Sequence, residues 1–247
     1  MPGSNNMVEI KGLSKSYNRG KVKAVDNLDL EVRKGEIFGF LGPNGAGKTT
    51  TLKMMVGMLN PDSGYVRING TDIAEQPIEV KSIIGYVPDN TNIYERLTGL
   101  EYLNFMADVY RVQEEERITR IRDFLDMFEL ADAVRDSIKS YSHGMRQKLM
   151  LIGALLHDPL LWILDEPMTG LDPKSAKVMK DLMRTHCDKG SSVFFSTHVL
   201  EVAERLCDRI GIINDGKLIA IGTMQELRHQ KDGTESLENI FLELTEK

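Results

Sequence analysis

A glycine-rich loop that ends in a lysine and a threonine is the part of this sequence with the clearest chemistry. It matches the pattern G-x-x-x-x-G-K-[ST], with an apolar run before it and a helical pattern after it. Glycines let backbone N–H groups turn inward around phosphate oxygens, and the positive end of the following helix adds attraction. Lys48 would reach the β- and γ-phosphates of ATP, and the Thr49 hydroxyl would ligate Mg²⁺. The predicted phosphate-binding residues are Gly42, Pro43, Asn44, Gly45, Ala46, Gly47, Lys48, Thr49 and Thr50.

Two acidic residues, Asp165 and Glu166, directly follow the apolar run 160–164. In a phosphate-loop protein, an aspartate at the tip of a neighbouring strand holds Mg²⁺. The next side chain points elsewhere and can polarise an attacking water molecule. For the pair alone, the alternative is a strand end that exposes two carboxylates to solvent. Together with the phosphate loop, the pattern favours Asp165 as a metal ligand and Glu166 as a catalytic residue.

One of the five histidines lies just after an apolar, strand-like run. His198 follows the run 193–196 and Thr197. Ligands of open α/β sheets bind at the carboxyl ends of the strands, so we expect His198 to hydrogen-bond the γ-phosphate. The alternative is a structural or merely exposed histidine. The histidines without such a context are interpreted as structural: His143, His157, His186 and His229.

Strand-like and helical patterns alternate along most of the chain, which predicts an α/β fold with a mostly parallel sheet. The strand-like runs are 8–10, 28–32, 36–41, 65–68, 83–87, 160–164, 192–196, 210–213 and 218–221. The helical patterns follow the phosphate loop up to about residue 59, cover most of 98–154, and recur at 173–187, 199–206 and 237–244. The stretch 98–154 is interpreted as a helical insertion into the core.

The composition excludes several classes of protein. The formal net charge is −6, with 31 Lys and Arg against 37 Asp and Glu, so a broad nucleic-acid-binding face is not expected. Cys187 and Cys207 have no metal-ligand spacing and indicate a reducing compartment. Apolar runs such as 149–156 fall short of the ~20 residues that span a bilayer. The sequence therefore predicts a chain that is soluble by itself and reaches a membrane only through a partner.

Several motifs, taken in order, resemble those of the ATP-binding subunits of ABC transporters. The matching segments are 42–49 (Walker A), 142–147 (the signature, usually read LSGGQ), 160–165 (Walker B), 170–173 (the D-loop) and 196–198 (the switch histidine). The resemblance covers about residues 7–221, and this ordered set is far more specific than any one motif. It implies that Glu166 is the general base.

The resemblance implies a P-loop NTPase of the ABC ATPase type, with an N-terminal antiparallel β subdomain and an inserted helical subdomain. The ATPase domain would cover residues 7–226, with the insertion at about 90–156. Residues 227–247 would form a C-terminal helical tail. Residues 1–6 would be an extension or a cloning scar.

The resemblance also implies roles for residues outside the phosphate loop. Tyr17 would stack on adenine, although a surface aromatic is the alternative. Ser142 and the backbone at Gly144 would bind the γ-phosphate of ATP held by another subunit, although a serine before a helix is also a plain N-cap. Asp172, in the D-loop, would lie at the same nucleotide.

Two positions depart from the family pattern. The signature is Tyr-Ser-His-Gly-Met, a variant that resembles those of two-component exporters with a separate membrane subunit. Asp89 stands where the family commonly has glutamine reaching toward Mg²⁺ and the attacking water. An aspartate is shorter and charged, so a turn-forming role after Pro88 is an equal alternative.

The resemblance implies the ATP-hydrolysing subunit of a membrane transporter of the exporter type, with ATP and Mg²⁺ as ligands. Its partners would be a transmembrane permease and a second ATPase subunit, either another copy or a sister chain. It would lie in the cytoplasm, peripheral on the inner face of the cell membrane. The alternative is a soluble ATPase acting on nucleic acid or ribosomes. That class usually has a tandem ATPase unit or a long coiled coil, and this sequence has neither.

Overall fold

The structure, a computed structural model, describes residues 5–91, 93–229 and 237–245, with the backbone alone for residues 244 and 245. The strands of this part are β1 (Asn6–Tyr17), β2 (Val22–Arg33), β3 (Ile37–Leu41), β4 (Ser63–Ile68), β5 (Thr71–Asp72), β6 (Ile84–Val87), β7 (Leu161–Asp165), β8 (Ser192–Thr197), β9 (Arg209–Asn214) and β10 (Lys217–Gly222). The helices are α1 (Lys48–Met55), α2 (Pro77–Ser82), α3 (Gly99–Val109), α4 (Glu114–Met127), α5 (His143–Leu155), α6 (Pro173–Asp188), α7 (Leu200–Leu206), α8 (Met224–His229) and α9 (Leu237–Thr245), with a 3₁₀ turn at Ile138–Ser140.

An antiparallel sheet in the order β2-β1-β4-β5 forms the N-terminal subdomain. The core sheet has the order β10-β9-β3-β8-β7-β6, and its strands are parallel except for the β9–β10 pair. Strands β3, β7 and β8 are buried along their whole length, as the central strands of a parallel sheet should be. The predicted α/β fold with an antiparallel subdomain is therefore confirmed.

The register of the core sheet brings the chemistry-bearing residues to one edge. Leu41, just before the phosphate loop, pairs with Thr197, and Asp165 pairs with Ser196. The carboxyl ends of β3, β7 and β8 thus meet, and residues 42, 166 and 198 all leave the sheet at this edge.

The helical insertion is confirmed as α3, α4 and α5. Helix α3 begins with a capping box, in which Thr98 and Glu101 satisfy each other's backbone N–H groups. Helix α5 packs against α3 and α4 on one side and against β6 of the core sheet on another. Helix α5 thus joins the helical insertion to the core sheet.

The C-terminal helix α9 packs back onto the core. Its Leu237 and Ile240 are buried with Leu41 and Ala203, which lie just before the phosphate loop and within α7. Among the described residues, no helix combines the length and apolar character needed to cross a bilayer. Residues 230–236 and 246–247 of the predicted tail and residues 1–4 of the predicted extension lie outside the described residues. The predicted domain limits stay predictions.

The structure differs from the sequence prediction in the lengths of elements and in two short elements, β5 and α2, that the patterns do not predict. β1 extends from Asn6 to Tyr17 rather than over 8–10, because its polar residues pair across both β2 and β4. α1 ends at Met55 rather than near residue 59. Gly57 follows with φ +64°, a left-handed conformation that cannot continue a helix.

Candidate active site

The phosphate loop joins β3 to α1, and two of its glycines have backbone conformations that larger residues rarely adopt. Gly45 and Gly47 have φ of +83° and +106°. A Cβ on Gly47 would lie 2.2 Å from the Ala24 carbonyl oxygen, and one on Gly42 would lie 2.4 Å from that of Ile213. Among the described residues, no side chain caps the N-terminus of α1, which leaves its first N–H groups to an anionic ligand.

Lys48 lies in the bend of this loop. Its side chain is only 7% exposed, and its Nζ donates to the carbonyl oxygens of Gly42 at 2.7 Å and Pro43 at 3.2 Å. The same Nζ lies 3.4 Å from Glu166 Oε1. The ammonium group is thus fixed between the loop and the acidic residue that follows β7.

A cleft of about 200 Å³ opens beside the loop. Its lining residues are Ala24, Pro43, Asn44, Gly45, Gly47, Lys48, Thr49, Thr50, Asp89 and Glu166. Gly42 and Ala46 are not among them, because Gly42 packs on Ile213 and the Ala46 side chain is buried. The structure thus brings most of the predicted phosphate-binding residues, and Asp89, to one cleft.

Asp165 lies beneath this cleft with an unpaired oxygen. Its side chain is 1% exposed, and its Oδ1 accepts a 2.6 Å hydrogen bond from Ser196 Oγ. Its Oδ2 has no hydrogen-bond partner among the described residues. Burial raises the pKa of Asp165, and the hydroxyls of Ser196 and Thr49 partly oppose that rise. A buried carboxylate oxygen is rarely left without a partner, and a hard cation prefers such a donor beside a hydroxyl.

Glu166 is held in a strained backbone conformation that points its carboxylate into the cleft. Its φ is +50°, which costs a non-glycine residue on the order of 1 kcal/mol or more. Its N–H donates to Ser196 Oγ at 3.0 Å. Its Oε2 lies 3.0 Å from His198 Nδ1, and its Oε1 faces Lys48. Strain of this kind gathers at catalytic sites, and here it sets Glu166 between two cationic or hydrogen-bonding partners.

Ser196 also belongs to this site, although the sequence pattern assigns it no role of its own. Its hydroxyl donates to Asp165 and accepts from Glu166, so one group fixes both acids. The signal was present in the sequence, since Ser196 ends the predicted strand beside the one that carries the acidic pair.

Replacing Ser196 by alanine should lower both stability and activity. The change leaves the Asp165 carboxylate and the Glu166 N–H without their shared partner, at a cost of about 1–3 kcal/mol in the free energy of unfolding. Ser192→Ala is the matched control, because Ser192 is equally buried at the other end of β8 and accepts from Gly35 N–H. Urea unfolding should show a loss in both variants, and phosphate release a loss only in Ser196→Ala. Equal losses in the rate of phosphate release from Ser196→Ala and Ser192→Ala would contradict the role given to Ser196.

Ser142, Gly144 and Asp172 lie outside the cleft, at the start of helices α5 and α6. Ser142 is the N-cap of α5 and accepts from Met145 N–H at 3.2 Å. Gly144 packs against the Gly170 carbonyl group. Asp172 is the N-cap of α6 and pairs with Lys148 at 3.0 Å, and its hydrogen bonds to Ser175 hold its carboxyl pKa well below the usual range. The predicted phosphate contacts thus fall in two places: the cleft beside the phosphate loop, and a second surface at the starts of α5 and α6.

Tyr17 stands apart from both surfaces. It ends β1, pairs with Val22 and is 40% exposed. It does not belong to the set of residues that line the cleft. Its stacking on adenine stays a prediction.

Comparisons with known proteins agree with this geometry. Residues 25–169 match the model of the family described as ABC transporter. The linearmycin resistance ATP-binding protein LnrL of Bacillus subtilis is 37% identical over 221 residues, which cover 90% of this chain and 70% of that protein.

Solved structures resemble the chain as well. A structure of an ATP-binding subunit of an ABC transporter superposes with a TM-score of 0.91 at 34% identity, covering 96% of this chain and 99% of that one. A dimeric ATP-binding cassette in a post-hydrolysis state, bound to ADP and Pi, superposes with a TM-score of 0.80 at 27% identity. The match covers 88% of this chain and 99% of that one. With its phosphate loop, acidic pair and histidine at one sheet edge, the chain belongs to the ABC transporter family, among its ATP-binding subunits.

Proposed function

We propose that the chain binds and hydrolyses ATP to power a membrane transporter, and that each ATP is enclosed between two ATPase subunits arranged head to tail. The observation that carries this proposal is the division of the predicted contacts. Lys48 and Glu166 line one cleft and His198 contacts Glu166, whereas Ser142 and Gly144, at the start of α5, do not line that cleft. The second half of each site would come from the signature of another subunit.

In the proposed reaction, Glu166 accepts a proton from the attacking water and His198 orients the Glu166 carboxylate and contacts the γ-phosphate. The backbone of the loop and Lys48 neutralise the phosphate oxygens as charge develops. Hydrolysis then removes the γ-phosphate that joins the two subunits, and they separate.

Mg²⁺ is the cofactor that the donor set fits. The unpaired Oδ2 of Asp165 and the Thr49 hydroxyl would hold it together with the nucleotide phosphates. The described residues contain no group of three or more His, Cys, Asp and Glu side chains that could hold a metal ion. Mg²⁺ commonly takes one or two protein carboxylates and completes its shell with phosphate and water. When bound, it would neutralise charge on the β- and γ-phosphates.

The membrane part of the function would come from a separate transmembrane permease, with this chain on the inner face of the cell membrane. The variant signature and the resistance protein LnrL both support an exporter. Co-purification with the product of a neighbouring gene that encodes a hydrophobic protein, followed by a transport assay in vesicles, tests this part directly.

Mixing two inactive variants tests the head-to-tail arrangement. Lys48→Ala damages the phosphate-loop half of a site. Ser142→Asp damages the signature half, because its charge repels the γ-phosphate while aspartate still caps α5. Each variant alone should be inactive. An equal mixture should recover about a quarter of the wild-type rate of phosphate release, since half of the dimers are mixed and each has one intact site of two.

The control is a mixture of Lys48→Ala with Glu166→Gln. Both changes damage the same half of the site, so no pairing of these chains contains an intact site. Ser142→Thr, a neutral cap, should stay active. Recovery in the control mixture, or no recovery in the test mixture, would exclude the head-to-tail arrangement.

A further inference from the structure

His143, the third residue of the variant signature, makes contacts that its exposed position would not suggest. Its Nδ1 is hydrogen-bonded to Thr91 Oγ1 at 3.1 Å. The Cδ2–Nε2 edge of its ring faces Gly170, where an added Cβ would lie only 2.2 Å from Cδ2. The imidazole thus fills the space between two loops of its own subunit.

Both of these loops begin at the phosphate cleft. Asp89 lines the cleft, and Thr91, two residues later, is 6% exposed. Glu166 also lines the cleft, and a turn closed by the hydrogen bond from Thr169 N–H to the Glu166 carbonyl leads to Gly170. Asp89 and Glu166 are therefore each separated from a residue that contacts the imidazole by only two to four positions in the chain.

The first two turns of α5 are attached to the second loop at further points. Gln147 Nε2 donates to the Pro167 carbonyl oxygen at 3.4 Å, and Lys148 pairs with Asp172. Gly144 lies so close to the Gly170 carbonyl oxygen that a Cβ would approach it to 2.7 Å. His143 is the member of this set that also contacts the Asp89–Thr91 segment.

We propose that His143 is a positioning residue that couples the phosphate cleft of its own subunit to its signature turn, residues 142–144. The inference rests on the proposed head-to-tail site, in which that turn contacts the ATP of the partner. His143 holds the turn at a fixed distance from Thr91 and Gly170. The contact offered to the partner then depends on the state of the subunit's own cleft.

The test uses the ATP dependence of dimerisation in the Glu166→Gln background, measured by light scattering. His143→Ala should raise the ATP concentration for half-maximal dimer about fivefold to tenfold, which corresponds to the loss of one hydrogen bond. ATP affinity at protein concentrations too low for dimers should change by less than about twofold, because His143 does not line the subunit's own cleft. His143→Asn should restore dimerisation, since its amide can replace Nδ1.

Two further variants separate coupling from simple packing. Thr91→Val removes the hydroxyl with little change of shape and should give the same defect as His143→Ala. The double variant His143→Ala/Thr91→Val should be no worse than either single variant, because both changes remove the same hydrogen bond. His157→Ala is the stability control: it removes another hydrogen-bonded, stacked histidine and should lower the melting temperature without altering the ATP dependence.

Gly170→Ala moves the ring without changing its chemistry and should copy the His143→Ala defect. Gly190→Ala is its matched control, with a similar φ of +95° but open space around the added Cβ. The coupling would be overturned if the dimerisation losses of His143→Ala and Thr91→Val added up in their double variant. It would also be overturned if His143→Ala left the ATP dependence of dimerisation unchanged. If Glu166→Gln alone fails to dimerise with ATP, the proposed head-to-tail site itself is wrong.

Discussion

Glu166→Gln should abolish nearly all ATP hydrolysis while it increases the population of ATP-bound dimer. Glutamine keeps the shape of the side chain and can still hydrogen-bond His198, which lies 3.0 Å from the Glu166 carboxylate. It cannot accept the proton of the attacking water, and general-base catalysis contributes roughly 10²- to 10⁴-fold to a rate. It also removes a negative charge beside the γ-phosphate, so ATP should hold the two subunits together longer.

The measurement is phosphate release, together with size exclusion in the presence of ATP and Mg²⁺. Glu201→Gln is a suitable control, because Glu201 is an exposed residue of α7 whose ion pair with Arg205 lies on the protein surface. It should hydrolyse ATP at the wild-type rate and form no long-lived dimer. A Glu166→Gln protein with wild-type hydrolysis would remove Glu166 from the mechanism.

Lys48→Ala should weaken nucleotide binding by roughly ten- to a hundredfold, as expected for the loss of a charge-assisted hydrogen bond to phosphate. The Lys48 ammonium has little exposure and already lies in the bend of the loop. Its removal also leaves Glu166 Oε1 facing the phosphates without a cation. Repulsion between the carboxylate and the nucleotide should add to the loss.

Fluorescence titration with a labelled nucleotide measures this effect. Lys53→Ala removes the same charge from the exposed side of the same helix and should bind nucleotide as the wild type does. Thermal unfolding of both variants without nucleotide separates a loss of affinity from a loss of fold. Unchanged affinity in Lys48→Ala would exclude the phosphate-loop assignment.

Much of the candidate site could be predicted because its parts depend on local sequence. A glycine loop between an apolar run and a helical pattern fixes its own conformation over a few residues, and the loop joins β3 to α1 as the pattern predicts. Glu166 and His198 were also predictable as neighbours. Each directly follows a buried strand, and the ends of adjacent parallel strands meet at one edge.

The remaining features depend on packing between distant segments. No pattern near His143 indicates that its ring will contact Thr91, 52 residues earlier, and Gly170. The left-handed backbone of Glu166, whose N–H donates to Ser196 Oγ, has no signature in the sequence. The full length of β1 was missed because Lys11 and Lys15 pair across strands without any apolar alternation.

The position of β3 in the core sheet has a consequence for the biosynthesis of the protein. This strand carries the phosphate loop, yet its two neighbours in the sheet are β8 and β9, which begin at Ser192 and Arg209. The ribosome therefore makes the phosphate loop well before it makes the two strands that hold the loop in place. A nascent chain that stops before β8 has no rigid support for the glycine turn. Affinity for nucleotide should arise abruptly, once β8 and β9 have left the ribosome, and not gradually as the chain grows.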